Sequence, residues 1–166
     1  MRLFIAINFN KDTRTRLITL RDELRSRSER GSFSLPENLH LTLAFLGECN
    51  ARQADAAKAS MDSLQFAPLS ITIERTGNFR GGLWWAGVKL TPQLSELQRA
   101  LFDALKKQGF ALESRKFSPH ITLGRNILTD APPWEIEPFG ETAGAIDLMK
   151  SERVNGKLTY TKIYSK

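Results

Sequence analysis

Two histidines are all that this chain contains, and both stand in the same tetrapeptide pattern. His40-Leu41-Thr42-Leu43 and His120-Ile121-Thr122-Leu123 each read His-x-Thr-Leu. One such match carries no information; a matched pair that accounts for every histidine does. An imidazole with an unperturbed pKa near 6.5 supplies both acid and base near neutral pH. Two of them can share one reaction, one taking a proton from an incoming water and the other giving a proton to a departing oxygen. The threonine hydroxyls suit the non-bridging oxygens of a phosphate and can hold it in line for attack. His40, His120, Thr42 and Thr122 are therefore candidates for phosphodiester chemistry. A metal site is the weaker reading, because neither motif carries Asp, Glu or Cys at ligand spacing. Ser118 stands beside His120, but no Gly-x-Ser-x-Gly turn supports a serine nucleophile.

The elements that must hold these residues follow from periodicity. In an extended strand His40 and Thr42 point to one face while Leu41 and Leu43 point to the other, with the two polar groups about 7 Å apart. The same holds for His120 and Thr122. Each motif then buries its aliphatic face under a helix and offers its polar face outward. Arg2 to Asn8 reads as a strand, and Lys11 to Arg27 as a helix with Leu17, Leu20 and Leu24 on one face, stopped by Gly31. A strand over Leu39 to Leu46 follows, then a helix capped by Asn50 with Gln53 three residues on, buried through Ala54, Ala57, Met61 and Leu64. Strands over Leu69 to Phe79 and Leu83 to Leu90 flank Gly81-Gly82. Thr91-Pro92 starts a helix with Leu94, Leu97, Leu101 and Leu105 in register. A strand over His120 to Arg125, a loop over Asn126 to Pro138, and a hairpin turning at Asn155-Gly156 complete the chain.

Strand, helix and His-x-Thr strand thus occur twice. A shift of 80 residues superposes His40 on His120, Thr42 on Thr122 and Leu17 on Leu97. The repeat, about 1–80 and 81–166, predicts two similar lobes related by a pseudo-twofold axis. No linker divides them, so a single two-lobed domain over 1–166 is expected. Facing each other across that axis, the two strands would bring both imidazoles and both hydroxyls to one groove.

Composition narrows the function classes. At 166 residues the chain has the length of one domain. Cys49 is alone, which excludes a disulfide scaffold and fits a reducing compartment. Lys plus Arg is 24 against 18 for Asp plus Glu, a net charge of +6 and a pI of about 9.7. That balance favours a phosphate-bearing partner. Arg75, Arg80, Lys89, Arg115, Lys116 and Arg153 are candidates for a nucleic-acid track; Phe9, Phe79, Trp84, Trp85 and Phe117 are candidates for base stacking. No Gly-x-x-x-x-Gly-Lys loop is present for an ATP-driven ligase. No apolar run approaches a membrane span, and the expected location is the cytoplasm.

At these motifs the chain resembles the two-histidine phosphoesterases, in particular the RNA 2′,3′-cyclic phosphodiesterases historically called 2′-5′ RNA ligases. The resemblance rests on Arg2–Ile7, on Pro36–Gly47, on Leu83–Val88 and on Phe117–Arg125, and so runs through nearly the whole chain. It implies an α+β, bilobal fold with two antiparallel sheets, helices outside and the groove between the sheets. It implies hydrolysis of an RNA end bearing a 2′,3′-cyclic phosphate to a 2′-phosphate. Acid and base are both imidazoles, so no metal or cofactor is expected; the expected partner is such an RNA end or a related cyclic nucleotide, and the expected state a monomer. The resemblance also implies roles that sequence symmetry leaves open: His40 as proton donor, His120 as proton acceptor, Thr42, Thr122 and Arg125 on the phosphate. Ligation to a 2′-5′ linkage, hydrolysis of small 2′-5′ nucleotides, and RNA-end binding without turnover are the competing readings. Strict alternation puts Arg125 on the face opposite His120, so it reaches the groove only if the strand breaks step at Gly124.

Overall fold

The structure, a computed structural model, describes residues 1–166. In chain order the elements are β1 (Arg2–Ile7), α1 (Lys11–Ser26), β2 (Ser28–Phe33), a 3-10 turn (Pro36–Asn38), β3 (Leu41–Glu48), α2 (Ala51–Asp62), β4 (Leu69–Phe79), β5 (Leu83–Val88), α3 (Pro92–Lys107), β6 (His120–Thr129), β7 (Glu135–Ala143), β8 (Asp147–Val154) and β9 (Lys157–Ser165). They build an α+β architecture with two sheets, β3-β1-β8-β9 and β2-β6-β5-β4-β7, in which all paired strands are antiparallel.

The helices form where their caps and stripes dictate. Asn50 and Gln53 make a reciprocal capping box at α2, and the Thr91 hydroxyl accepts from Leu94 N at the start of α3. Such a cap contributes about 1 kcal/mol. Leu94, Leu97, Leu101 and Leu105 are all buried on α3, and burial of each contributes roughly 1.5–3 kcal/mol.

The two sheets are not the two halves of the chain. β2, from the first half, joins the second sheet, while β8 and β9, from the second half, complete the first. The helices interlock as well. α1 follows β1 of the first sheet but packs on β2 and β7 of the second; α3 follows β5 of the second sheet and packs on β4 of that sheet, but also on α2 and on β3 of the first. One hydrophobic cluster of 33 buried residues runs through both, from Leu3, Ile5 and Ile7 to Ile121 and Leu123.

Three expectations need correction. The first helix ends at Ser26, and Gly31 lies inside a strand, β2, that periodicity does not reveal. β2 is a polar edge strand, exposed along most of its length, so it carries no apolar alternation. Gly31 is there because a Cβ would come within 2.2 Å of Ile127 Cδ1 on β6. The stretch from Asn126 to Pro138 is not one loop: β6 continues to Thr129 and β7 begins at Glu135. Pro138 is tolerated because β7 is also an edge strand, with one side free of ladder bonds. Finally, His40 lies just ahead of β3, where the chain leaves the 3-10 turn, and not within the strand. Leu39 is extended (φ −75°, ψ 117°), so the alternation still runs through His40.

Candidate active site

Each motif strand carries a bulge at the same place. On β3, Thr42 pairs with Ala6 and Ala44 with Ile5, leaving Leu43 as the extra residue. On β6, Thr122 pairs with Trp85 and Gly124 with Trp84, leaving Leu123 extra. Before the bulge, burial alternates as expected: Leu41, Leu43, Ile121 and Leu123 are in the core, while Thr42 and Thr122 are half-buried. After it, the facing of the side chains reverses. Ala44 and Gly124 are buried, whereas Phe45 and Arg125 are exposed. Phe45 then pairs with Phe4, which faces away from the main core with Ala6 and Met149. Arg125 likewise turns to the side of His120 and Thr122. Its positive charge reaches both His40 and Tyr160.

The two histidines are set in the same way. His40 Nδ1 lies 2.7 Å from Asn38 O, and His120 Nδ1 lies 2.7 Å from Ser118 O. A carbonyl only accepts, so Nδ1 carries the proton and donates in both cases. That leaves Nε2 as the working atom of each neutral ring.

Their surroundings differ. His40 stands between Phe4, at 4.8 Å between ring centroids, and Tyr160, edge-on at 5.2 Å. Its Nε2 lies 2.8 Å from the Thr42 hydroxyl, which donates to it in this tautomer. Burial holds the pKa of His40 below its usual value, against the Asn38 carbonyl bond that raises it; the charges of His120 and Arg125 lower it further. His120 stands between Phe79 at 5.3 Å and Trp85 at 6.0 Å. Trp85 lies over Gly77, where a Cβ would come within 2.2 Å of the indole, and Arg75 covers the ring at 5.6 Å.

Neighbouring elements hold both motifs in place. Asn38 Nδ2 donates to Leu158 O at 3.0 Å, and Lys157 pairs with Glu37 at 3.0 Å, so β9 is fastened to the segment that carries His40. On the other side Arg21 donates to Ser34 O, while Ser34 donates through Oγ to Thr122 O and through its backbone N–H to Leu123 O. α1 and β2 thereby brace β6.

Tyr160 is the site residue that motif reasoning missed. It packs on Phe4 at 5.0 Å, and its hydroxyl bonds to no protein group, whereas the Tyr164 hydroxyl donates to Asp62. Burial pushes its phenol pKa up, opposed by the charges of Arg125 and Arg2, so it stays a donor. Nothing in the local sequence marks it; only the curl of β9 back onto the 3-10 turn brings it to His40.

Other candidates are placed elsewhere. Phe9 and Trp84 are core residues, and Phe117 packs against the core. Phe79, 43% exposed, and Trp85 flank His120. Arg75 is paired with Glu74, Arg115 with Glu113, and Arg153 donates to Gly156 O. Arg80, Lys89 and Lys116 are exposed and make no ion pair. No three His, Cys, Asp or Glu side chains converge into a set that could hold a metal ion. No helix is long and apolar enough to cross a membrane.

Comparison with known proteins bears on this geometry. The profile of the 2′-5′ RNA ligase superfamily matches residues 9–143. The RNA 2′,3′-cyclic phosphodiesterase of Archaeoglobus fulgidus is 33% identical over 151 residues, covering 85% of this chain and 85% of that protein. The protein of the same name from Geobacillus stearothermophilus is 33% identical over 138 residues, which cover 78% of this chain but span only 43% of that protein. The crystal structure of E. coli LigT complexed with 3′-AMP matches the fold with a TM-score of 0.86 at 27% identity, over 99% of this chain and 96% of that one. A profile match over most of the chain, joined to 33% identity with a relative of which 85% is covered, makes this chain a member of the 2′-5′ RNA ligase superfamily.

Proposed function

We propose that this enzyme hydrolyses the 2′,3′-cyclic phosphate at an RNA end, leaving a 2′-phosphate, and does so without metal as a single two-lobed unit. The observation that carries the reading is the pair of imidazoles, each with Nδ1 committed to a backbone carbonyl, with Nε2 of His40 beside the Thr42 hydroxyl and Nε2 of His120 without a protein partner. The chemistry belongs to a phosphoesterase family, and relatives one-third identical are named for this reaction.

His120 Nε2 takes the proton of the attacking water as its oxygen bonds to phosphorus. The bond from phosphorus to O3′ breaks, and His40 Nε2 delivers a proton to that oxygen. The phosphate stays on O2′, and solvent resets both rings. Thr42, Thr122 and Arg125 bind the non-bridging oxygens, and the Tyr160 hydroxyl is free to join them. As a proton donor His40 must be charged, yet burial disfavours its charged form in the free protein. The anionic substrate supplies the opposite charge that draws a proton onto it.

The test is an RNA oligomer ending in a 2′,3′-cyclic phosphate, incubated with EDTA, with the product position mapped. Turnover to a 2′-phosphate is expected. A 3′-phosphate would mean that the donor stands beside O2′ instead. Binding without turnover would leave only an RNA-end binding module, and activity that EDTA removes and zinc or magnesium restores would overturn the metal-free mechanism.

A further inference from the structure

Beyond the reacting centre, the first sheet presents a second cationic position. Arg2, Phe4 and Ala6 alternate on β1, so Arg2 shares the face of the Phe4–Ala6–Met149 cluster against which Tyr160 packs. Its Cα pairs with Ser151 on β8, which in turn pairs with Tyr160 on β9. The guanidinium lies 4.8 Å over the ring of Phe45, the residue that the β3 bulge turns outward and that is 51% exposed. This stacking holds the fork flat and presented, while leaving its N–H donors unused.

Arg2 makes no ion pair, although carboxylates lie close. It opens on a cavity of about 470 Å³ whose acids are already engaged: Glu48 by the N-terminal ammonium at 3.4 Å, Glu152 by Lys150 at 3.1 Å. The phenol of Tyr160 lies within the field of both Arg2 and Arg125. Two guanidiniums free of carboxylates therefore act on one hydroxyl donor, and the reacting cyclic phosphodiester carries a single negative charge. Distance separates their tasks. Ala6 is the partner of Thr42, and Arg2 is four residues earlier, roughly 13 Å along the strand. A phosphate held by Thr42 does not span that distance, which leaves Arg2 for a second phosphate of the same strand.

We propose that Arg2, stacked on Phe45 and beside Tyr160, binds the phosphodiester one nucleotide upstream of the reacting end, so that the preferred ligand is an oligonucleotide end and not a mononucleotide. This rests on the hydrolase reading for the placement of the reacting end.

The experiment titrates the full chain with a nucleoside 2′-phosphate and with the dinucleotide that bears the same 2′-phosphate end, for the wild type and for Arg2→Gln. Arg2 is exposed and bonds to nothing else, so the variant keeps its fold. The dinucleotide is expected to bind the wild type about tenfold more tightly, the gain of one charged hydrogen-bonding contact. Its affinity should also fall more steeply with salt, by roughly 0.7 in the log–log slope for the extra phosphate. Arg2→Gln should abolish both differences, and Arg2→Lys should keep the salt slope while losing part of the affinity. Equal affinity of the two ligands for the wild type, or a gain that survives in Arg2→Gln, overturns the proposal. The corresponding cyclic phosphates are assayed in parallel: failure to turn either over sinks the hydrolase reading, while the affinity ratio still decides the subsite.

Discussion

The half-site of His40 and the half-site of His120 share a tetrapeptide, a bulge and a carbonyl-bound Nδ1, yet they are different chemical places. His40 is enclosed by Phe4 and by Tyr160 from β9, and a hydroxyl is bonded to its working nitrogen. His120 is edged by an exposed Phe79 and by Trp85, and its working nitrogen has no protein partner. The repeated elements build the likeness; elements without a counterpart build the difference. β9 curls over one histidine, while Arg75 and the hairpin strands β4 and β5 frame the other. Asymmetric proton transfer from a symmetric motif needs only that the two environments favour different protonation states.

The largest effect that can break this comparison is loss of either ring. His40→Ala and His120→Ala should each lower turnover by ~10² to 10⁴-fold or more, since a placed proton donor or acceptor contributes that much. The double variant should fall well short of the product of the two losses, because groups serving one transition state are not additive. Near-wild-type turnover by either single variant, with its circular dichroism intact, would mean that the two half-sites do not share a reaction.

A smaller effect sharpens the comparison. Thr42→Val removes a proposed phosphate ligand that is also bonded to His40, whereas Thr122→Val removes a proposed phosphate ligand that has no bond to His120. Each should cost about tenfold in kcat/KM for the lost contact to a charged oxygen. Only Thr42→Val should also move the pH profile, because only there does the hydroxyl touch the imidazole. Identical profiles would show that the bond at 2.8 Å has no bearing on proton transfer. Tyr160→Phe should lower kcat by a few-fold, less than either threonine, since it removes one neutral donor and leaves the ring on Phe4 and His40. An unchanged kcat would confine Tyr160 to packing.

How much of this was legible in the residues depended on periodicity. The alternation through Leu41, Leu43, Ile121 and Leu123, the caps at Asn50 and Thr91, and the turn at Asn155-Gly156 are local signals, and all correspond to the observed elements. β2 and β7 were illegible because edge strands need no buried stripe, and because Gly31 and Pro138 read as breakers where they serve close approach and a free edge. Whether Arg125 shares the face of His120 turned on a break in alternation near Gly124, and the bulge found at Leu123 is a pairing event that leaves no mark in one strand alone. Tyr160 lay beyond reach for a related reason. It is separated from His40 by 120 residues of chain and meets it only through sheet curl and the Asn38–Leu158 bond.

The smallest expected effect is on stability, and it isolates the enclosed half-site. In the unfolded chain His40 titrates near 6.5, and in the folded protein burial lowers that value. Between the two, the unfolded state binds more protons, so stability rises with pH across that window. The contribution of a neutral His40 is thus complete above about pH 6.5 and is lost as pH falls through the folded value, with a slope of at most about 1.4 kcal/mol per pH unit for one proton. Glu37 acts lower: its own backbone N–H and then Lys157 hold its carboxyl below 4.5, so its contribution fades only under more acidic conditions. Urea unfolding midpoints from pH 5 to pH 7 should therefore fall on the acid side in the wild type. His40→Gln should flatten that fall, because glutamine has no proton to take up. If the two proteins lose stability in parallel over this range, His40 is not held neutral by its enclosure, and the asymmetry between the half-sites would have to arise only when substrate binds.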